Sequence, residues 1–241
     1  MKGGENNMVT IPVKGMITND DDAPICRDFY GMTVVSPQDV LNSLPDDGSP
    51  VTLDIVSDGG EVDPATEIYT ALKNYSGDVT AQISANAYSA ATIVAMGAGK
   101  VQISPGARMM IHNAASGAEG NYHDMDRASN MLQTVNQSIA AIYADKTGRP
   151  ADEFLGLMDK ESWLSAQDAI DLGLVDEVMS FEPVTNLAKP PLVNHRSIAK
   201  IKDLISENQK LKNATSQISE HEKLVQAKMA IFYGKDDNTN E

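Results

Sequence analysis

The sequence of 241 residues is poor in cysteine, in aromatic residues and in positive charge. Its one cysteine, Cys26, excludes an internal disulfide and is typical of a reducing compartment. Asp and Glu total 34 against 19 Lys and Arg, and the net charge of −15 disfavours nucleic-acid binding, which needs a basic surface along the phosphates. Aromatic residues make up 5% of the chain, with a single Trp163, so stacking on bases or sugars is not expected.

Long apolar segments and cofactor motifs are also missing. No apolar run approaches the ~20 residues of a membrane-spanning helix, and the polar start, residues 1–7, has no signal-peptide core. We therefore expect a cytoplasmic protein that does not bind a membrane. His123, His195 and His221 have no acidic or cysteine partners at metal-ligand spacing, so we expect no metal and no cofactor.

Strand-like and helix-like segments alternate along the first part of the chain. Val9–Ile17, Val51–Val56 and Val79–Ile83 are apolar runs of the kind found in buried strands. Ser36 and Asp63 each precede a proline, a pattern typical of a capped helix start. This alternation predicts an α/β fold with crossover helices.

Longer helices are predicted further along. The small and apolar residues of 89–96 indicate a helix buried in the middle of a domain. His123–Lys146 predicts a long helix with a methionine-rich apolar side, and Ala151–Met158 predicts a shorter one. Ser165 begins another capped helix.

The composition changes after about residue 180. We predict one domain over residues 1–182, a proline-containing linker over 183–196, and a helical extension over 197–241 with a disordered end. Apolar residues in the extension fit a coiled-coil seam only if polar residues fill three intervening positions, so the coiled-coil signal is weak. The seam comprises Ile201, Leu204, Asn208, Leu211, Thr215, Ile218, Glu222, Val225, Met229 and Phe232.

Three kinds of residue needed for nucleophilic catalysis follow strand-like segments, which include the short run Arg108–Ile111 before His112. The pair Gly59-Gly60 can bring backbone N–H groups close to a reacting oxygen, Ser89 supplies a nucleophile, and His112 supplies its base. A histidine can accept and return a proton near neutral pH, and a carboxylate would orient its ring. Taken singly, each has a plainer interpretation: a turn, a buried helix start and an interior histidine.

Together, the motifs carry a resemblance to a known family. Over residues 8–179 the chain resembles the Clp protease proteolytic subunit, most closely its phage-encoded branch. The motifs come in the family's order: Asp58-Gly59-Gly60, Ala87-Tyr88-Ser89-Ala90, Met110-Ile111-His112, Trp163-Leu164-Ser165-Ala166 and Gly173-Leu174-Val175-Asp176. Each is weak alone, but their order and spacing are specific.

The resemblance implies a role for each matching position. Ser89 matches the nucleophile and His112 the general base. Gly60 and Ala90 match the two residues whose N–H groups form the oxyanion hole.

The third catalytic residue of the family is usually an aspartate two positions before an aromatic residue. Counting back from Trp163 gives Glu161, whose longer side chain can still reach the histidine, and Asp159 is the alternative. The chain also has Asp58 where the family has proline, and alanines and Tyr88 where the family is rich in glycine.

The resemblance further implies a fold, an activity and partners. The fold would be a crotonase-like β-superhelix, with flanking helices and with His123–Lys146 as the projecting helix that joins rings. The activity would be serine endopeptidase cleavage of polypeptides inside a homo-oligomeric chamber. Its setting would be procapsid maturation, in the host cytoplasm or in the procapsid interior, with capsid or scaffold proteins as substrates. The chain has no G-x-x-x-x-G-K-[ST] phosphate loop, so any ATPase unfoldase would be a separate protein.

Other functions remain open on sequence alone. An inactive assembly or scaffold subunit could keep the fold without catalysis. A crotonase-type acyl-CoA enzyme would use paired backbone N–H groups without Ser89 and His112. A Ser-Lys protease would not need His112.

Overall fold

The computed structural model describes residues 9–181, 198–212, 223 and 225. The chain divides into two compact units, residues 1–181 and 182–241. In the second unit, residues 198–212 are helical. The predicted linker, 183–196, and the seam positions after 212, apart from Val225, lie outside the described residues, so the linker and the coiled coil stay predictions.

A mixed sheet forms the centre of the first unit. Six strands follow the order β2-β1-β3-β4-β5-β8, all in parallel pairs, while β6 pairs in parallel with β4 and antiparallel with β7. The strands in chain order are β1 (Val9–Ile17), β2 (Val34–Val35), β3 (Val51–Gly60), β4 (Val79–Tyr88), β5 (Lys100–Ile103), β6 (Arg108–Ile111), β7 (Ser162–Ser165) and β8 (Glu177–Val178).

On the edge away from β3, strand β4 pairs with two further strands in succession. Its first half, Thr80–Ile83, pairs with β5, and its last residues, Asn86–Tyr88, pair with β6. The sheet therefore divides along β4, and the ends of β3, β4 and β6 meet in one place. The glycine pair, the serine and the histidine predicted from the sequence lie at these three strand ends.

Helices connect the parallel strands, as the alternating pattern predicts. They are α1 (Pro37–Leu41), α2 (Val62–Asn74), α3 (Ala90–Met96), α4 (Tyr122–Thr147), α5 (Ala151–Met158) and α6 (Ala166–Asp171). Reciprocal capping boxes begin α1 at Ser36, α4 at Asn121 and α6 at Ser165. The predicted cap at Asp63 was wrong, because α2 begins two residues after the glycine pair with Glu61 at its N-cap position.

Helix α3 is the most deeply buried of the six helices α1 to α6. All seven of its residues are 1% exposed or less, because they are small or apolar and lie against β3 and β4. Its burial fixes the position of the residue immediately before it, Ser89.

Helix α4 is buried only near its C-terminal end, at Ile139, Ala140 and Tyr143. Its N-terminal half exposes Tyr122, Met125 and Met131. The structure confirms the long helix predicted over His123–Lys146, with one further residue at each end. Among the described residues, no helix is both long and apolar enough to cross a bilayer.

Candidate active site

Ser89 occupies a strained turn between β4 and α3. Its φ of 54° and ψ of −126° lie where residues other than glycine are rarely found. The Ser89 N–H donates to the carbonyl of Met110 at 2.8 Å, and the Ser89 carbonyl accepts from Thr92 N at 2.9 Å and Thr92 Oγ1 at 2.6 Å. The surrounding hydrogen bonds hold the conformation that the turn requires, as at other functional sites with strained backbone.

His112 lies beside this serine. Its Nε2 is 2.7 Å from Ser89 Oγ, a distance that allows direct proton transfer. The two residues follow the paired strands β4 and β6, whose register matches Tyr88 with Met110. This pairing brings together two side chains that are 23 positions apart in the chain.

Gly59 lies against the same turn, and Gly60 lies against the end of β1. A Cβ on Gly59 would be 2.7 Å from Ser89 Cβ and 2.6 Å from the Tyr88 carbonyl oxygen, and one on Gly60 would be 2.0 Å from the Ile17 oxygen. Both glycines also have positive φ values, 97° and 152°. Only glycine allows β3 to pass this close to the serine.

A cleft of about 530 Å³ opens over these residues. This volume is within the usual range of ligand-binding sites. Its walls come from the glycine pair and the start of α2, from the segment after β6, and from α4. The lining residues are Gly60, Glu61, Val62, Asp63, Pro64, Ser89, His112, Ala114, Ala115, Ser116, Met131, Leu132 and Val135.

Neither predicted carboxylate is hydrogen-bonded to the histidine. The Glu161 carboxylate accepts from Trp163 Nε1 at 3.3 Å, and the Asp159 carboxylate accepts from Asn113 Nδ2 at 2.7 Å. Within the described part of the chain, His112 has Ser89 as its one hydrogen-bond partner. The structure therefore brings Ser89, His112 and the glycine pair together, but it does not complete the triad.

The strand register favours Glu161 over Asp159. The antiparallel pairing of β6 and β7 ends with Ile111 opposite Ser162, and the residues directly beyond this end are His112 and Glu161. Glu161 also has a positive φ of 50°, which marks it as a constrained position.

Glu61 is a charged residue that lines the cleft and was not predicted from the sequence. Its carboxylate accepts from Thr18 Oγ1 at 2.6 Å and from Asn19 Nδ2 at 3.2 Å. The hydrogen bond from Thr18 lowers the pKa of Glu61, so this side chain is ionised at neutral pH. Only its position after the glycine pair could have pointed to it.

Sites for metals or thiol chemistry are not evident in the part of the chain that the structure describes. No group of three His, Cys, Asp or Glu side chains there is arranged to hold an ion. Cys26 is a free, partly buried thiol.

Comparison with known proteins decides the family. Residues 33–182 match the family model described as Clp protease. The chain belongs to the Clp protease family. This finding confirms the family resemblance seen in the sequence, although the comparisons do not test the phage-encoded branch.

Several relatives of this Clp protease family member are known. ATP-dependent Clp protease proteolytic subunits from Bacteroides fragilis and Pleurastrum terricola are 30% and 32% identical to it, over 154 and 158 residues. These matches cover 63% and 64% of this chain, and 74% and 81% of the relatives. Proteolytic subunit 1 from Protochlamydia amoebophila is 33% identical over 147 residues, which are 58% of this chain and 71% of the relative.

The fold agrees with this assignment. A mutant of ClpP1 from Listeria monocytogenes superposes with a TM-score of 0.59 at 21% identity, over 72% of this chain and 92% of that one. The predicted α/β fold of Clp proteolytic subunits is therefore confirmed. Membership of this family supports a protease and disfavours the acyl-CoA enzyme considered from the sequence.

Proposed function

We propose that this chain is a serine endopeptidase of the Clp proteolytic-subunit type. The observation that supports the proposal most directly is the 2.7 Å approach of Ser89 Oγ to His112 Nε2, at a strained turn inside a cleft. A serine hydroxyl becomes a strong nucleophile only when a neighbouring base removes its proton, and this geometry supplies such a base.

The proposed reaction proceeds through an acyl-enzyme. Ser89 Oγ attacks the peptide carbonyl carbon while His112 Nε2 takes the serine proton. The Gly60 and Ala90 N–H groups stabilise the oxyanion, and His112 then protonates the leaving amine as the peptide C–N bond breaks. Water, deprotonated by His112, cleaves the Ser89 ester and regenerates the enzyme.

Glu161 is the proposed third member of the triad. Glu161 and His112 lie directly beyond the same end of the β6–β7 pairing, which supports this role. The side chain would exchange its contact with Trp163 Nε1 for one with the free ring nitrogen of His112. A carboxylate in that place would hold the imidazole in the correct tautomer and stabilise its protonated form.

Labelling with a fluorophosphonate tests the proposed chemistry. The probe reacts with activated serines, and intact mass spectrometry counts the adducts. We expect stoichiometric labelling of the wild type and none of Ser89→Ala. Ser84→Ala is a matched control on β4, since Ser84 Oγ donates to Asp54 outside the cleft, and it should label like the wild type. Unlabelled wild-type protein in its native assembly would refute the proposal.

Assembly into homo-oligomeric rings is the second part of the proposal. The exposed Tyr122, Met125 and Met131 on the N-terminal half of α4 support an interface on this helix. A ring would enclose Ser89 in a chamber and admit polypeptides, delivered where needed by a separate ATPase. Native mass spectrometry should find a closed oligomer, and a monomer at micromolar concentration would contradict this part.

Procapsid maturation in the cytoplasm of a phage host is the biological setting we propose, with capsid or scaffold proteins as substrates. Its support is the resemblance to the phage-encoded branch and the extension beyond residue 182. Mapping new protein N-termini in producing cells, with wild type and with Ser89→Ala, would identify the substrates. New termini on host proteins alone would contradict this setting.

One observation favours the alternative of an inactive assembly subunit. The Glu161 carboxylate is bonded to Trp163 and leaves His112 without a carboxylate partner among the described residues. A closed ring that never labels at Ser89 would support this alternative.

A further inference from the structure

A buried pair of hydroxyl groups lies directly behind the nucleophile turn. Thr92 Oγ1 is 2.6 Å from the Ser89 carbonyl oxygen and 2.6 Å from the Tyr143 hydroxyl. Thr92 is 0% exposed and Tyr143 is 1% exposed. Polar groups buried this deeply are expensive unless they are paired, so the contacts between them are well defined.

The direction of both hydrogen bonds follows from proton counting. A carbonyl oxygen can only accept, so the single hydroxyl proton of Thr92 is donated to Ser89. Tyr143 must therefore donate its own proton to Thr92 Oγ1. Burial raises the pKa of Tyr143 to about 12, so the phenol keeps the proton that it donates to Thr92.

The last acceptor in this series of hydrogen bonds is the Ser89 carbonyl, which belongs to the same peptide group as the Ala90 N–H, a proposed oxyanion donor. In a planar trans peptide the C=O of Ser89 and the N–H of Ala90 point in opposite directions. Thr92 holds the carbonyl with both its backbone N–H and its hydroxyl. Because the carbonyl is held on the side of the buried helix, the Ala90 N–H is directed away from that side.

We propose that Thr92 and Tyr143 are positioning residues, which orient the Ser89–Ala90 peptide so that the Ala90 N–H serves the oxyanion. This inference rests on the proposed function. It assigns a catalytic consequence to a residue of α4, Tyr143, whose ring otherwise packs on Phe154 at a centroid distance of 5.5 Å.

Three conservative variants separate positioning from packing. Thr92→Val keeps the shape but removes the donor to Ser89, Thr92→Ser keeps the hydroxyl, and Tyr143→Phe removes only the phenol oxygen. The readouts are the second-order rate constant of fluorophosphonate labelling at Ser89, kcat and KM on a peptide substrate, and Tm.

We expect Thr92→Val to label about 10 to 100 times more slowly than wild type. This loss is smaller than the roughly 10² to 10³ decrease in rate that follows complete removal of an oxyanion donor. Tyr143→Phe should label about 3 to 10 times more slowly, because it removes the hydrogen bond that supports Thr92. Thr92→Ser should label within about threefold of wild type, because it keeps both hydrogen bonds. The loss should fall on kcat, with KM nearly unchanged.

The double variant Thr92→Val with Tyr143→Phe provides a further check. It removes the phenol that Thr92→Val leaves without its partner, so it should regain thermal stability without regaining labelling rate.

Wild-type labelling rates in folded Thr92→Val and Tyr143→Phe, measured well below Tm, would overturn the positioning role and leave the proposed function standing. Failure of the wild type itself to label would overturn both.

Discussion

Ser89 Oγ and His112 Nε2 lie 2.7 Å apart because two parallel strands end side by side. The pairing of Tyr88 with Met110 continues as a hydrogen bond from Ser89 N to the Met110 carbonyl. Each partner of the proposed dyad is thus the first residue after a strand in the same ladder. Because the backbone pairing places both residues, a change that disturbs the turn should reduce activity.

Replacing the histidine should slow acylation of the serine. We expect His112→Ala to reduce the fluorophosphonate labelling rate by about 10² to 10⁴, because general-base assistance contributes about that much. The matched control is His123→Ala, at the exposed start of α4, which should label at the wild-type rate. A rate in His112→Ala equal to wild type would show that another group deprotonates Ser89.

The identity of the third residue can be tested by two neutral substitutions. We expect Glu161→Gln to lower kcat by about 10-fold or more, because the imidazolium loses its carboxylate. Asp159→Asn should stay within about threefold of wild type, since an amide oxygen can still accept from Asn113 Nδ2. The reverse order in a peptidase assay would assign the role to Asp159.

The glycine next to the serine should not tolerate a methyl group. In Gly59→Ala the new Cβ would meet Ser89 Cβ and the Tyr88 carbonyl in a backbone with φ of 97°. We expect destabilisation of about 1 to 3 kcal/mol together with loss of labelling, since strain of this kind has that size.

Gly106→Ala is the control for that substitution. It lies in the loop between β5 and β6, and a Cβ there meets nothing within 4 Å. Chemical denaturation should find its stability within about 0.5 kcal/mol of wild type. Equal effects of Gly59→Ala and Gly106→Ala would contradict the close packing of β3 on the turn.

The hydrogen bond between Thr18 and Glu61 should make stability depend on pH. Because the bond lowers the folded-state pKa of Glu61, its contribution is present above the unfolded-state pKa and is lost as pH falls through the folded-state value. The loss of Tm in Thr18→Val should therefore be larger at pH 7 than at pH 3.5.

Thr70→Val serves as the control for that pH dependence, because the Thr70 hydroxyl donates to the neutral carbonyl of Thr66. Its change in Tm should be the same at both pH values. A Thr18→Val effect that is equal at both pH values, or larger at low pH, would exclude a charged Glu61 as the partner.

Much of the fold was predictable from the sequence. Apolar runs identified β1, β3 and β4, and Ser36 and Ser165 marked the starts of α1 and α6, because strand burial and helix capping are local. Strands β2 and β8 were missed because two residues carry no periodicity, and β7 was missed because two of its four residues are serines.

The candidate site was also predictable only in part. The sequence by itself determined the residue types, since Gly59, Gly60, Ser89 and His112 follow recognisable strands in a specific order. Only the tertiary structure decided that the β6–β7 pairing brings Glu161 and His112 to the same end of the two strands, while the Glu161 carboxylate accepts from Trp163 Nε1.

The tertiary structure also decided that Tyr143, 51 positions away, donates to Thr92 behind the nucleophile. These relationships depend on the register of strands and the packing of helices distant in the chain. Local patterns carry information about burial and turns, but they carry none about which distant hydroxyl or carboxylate becomes the neighbour.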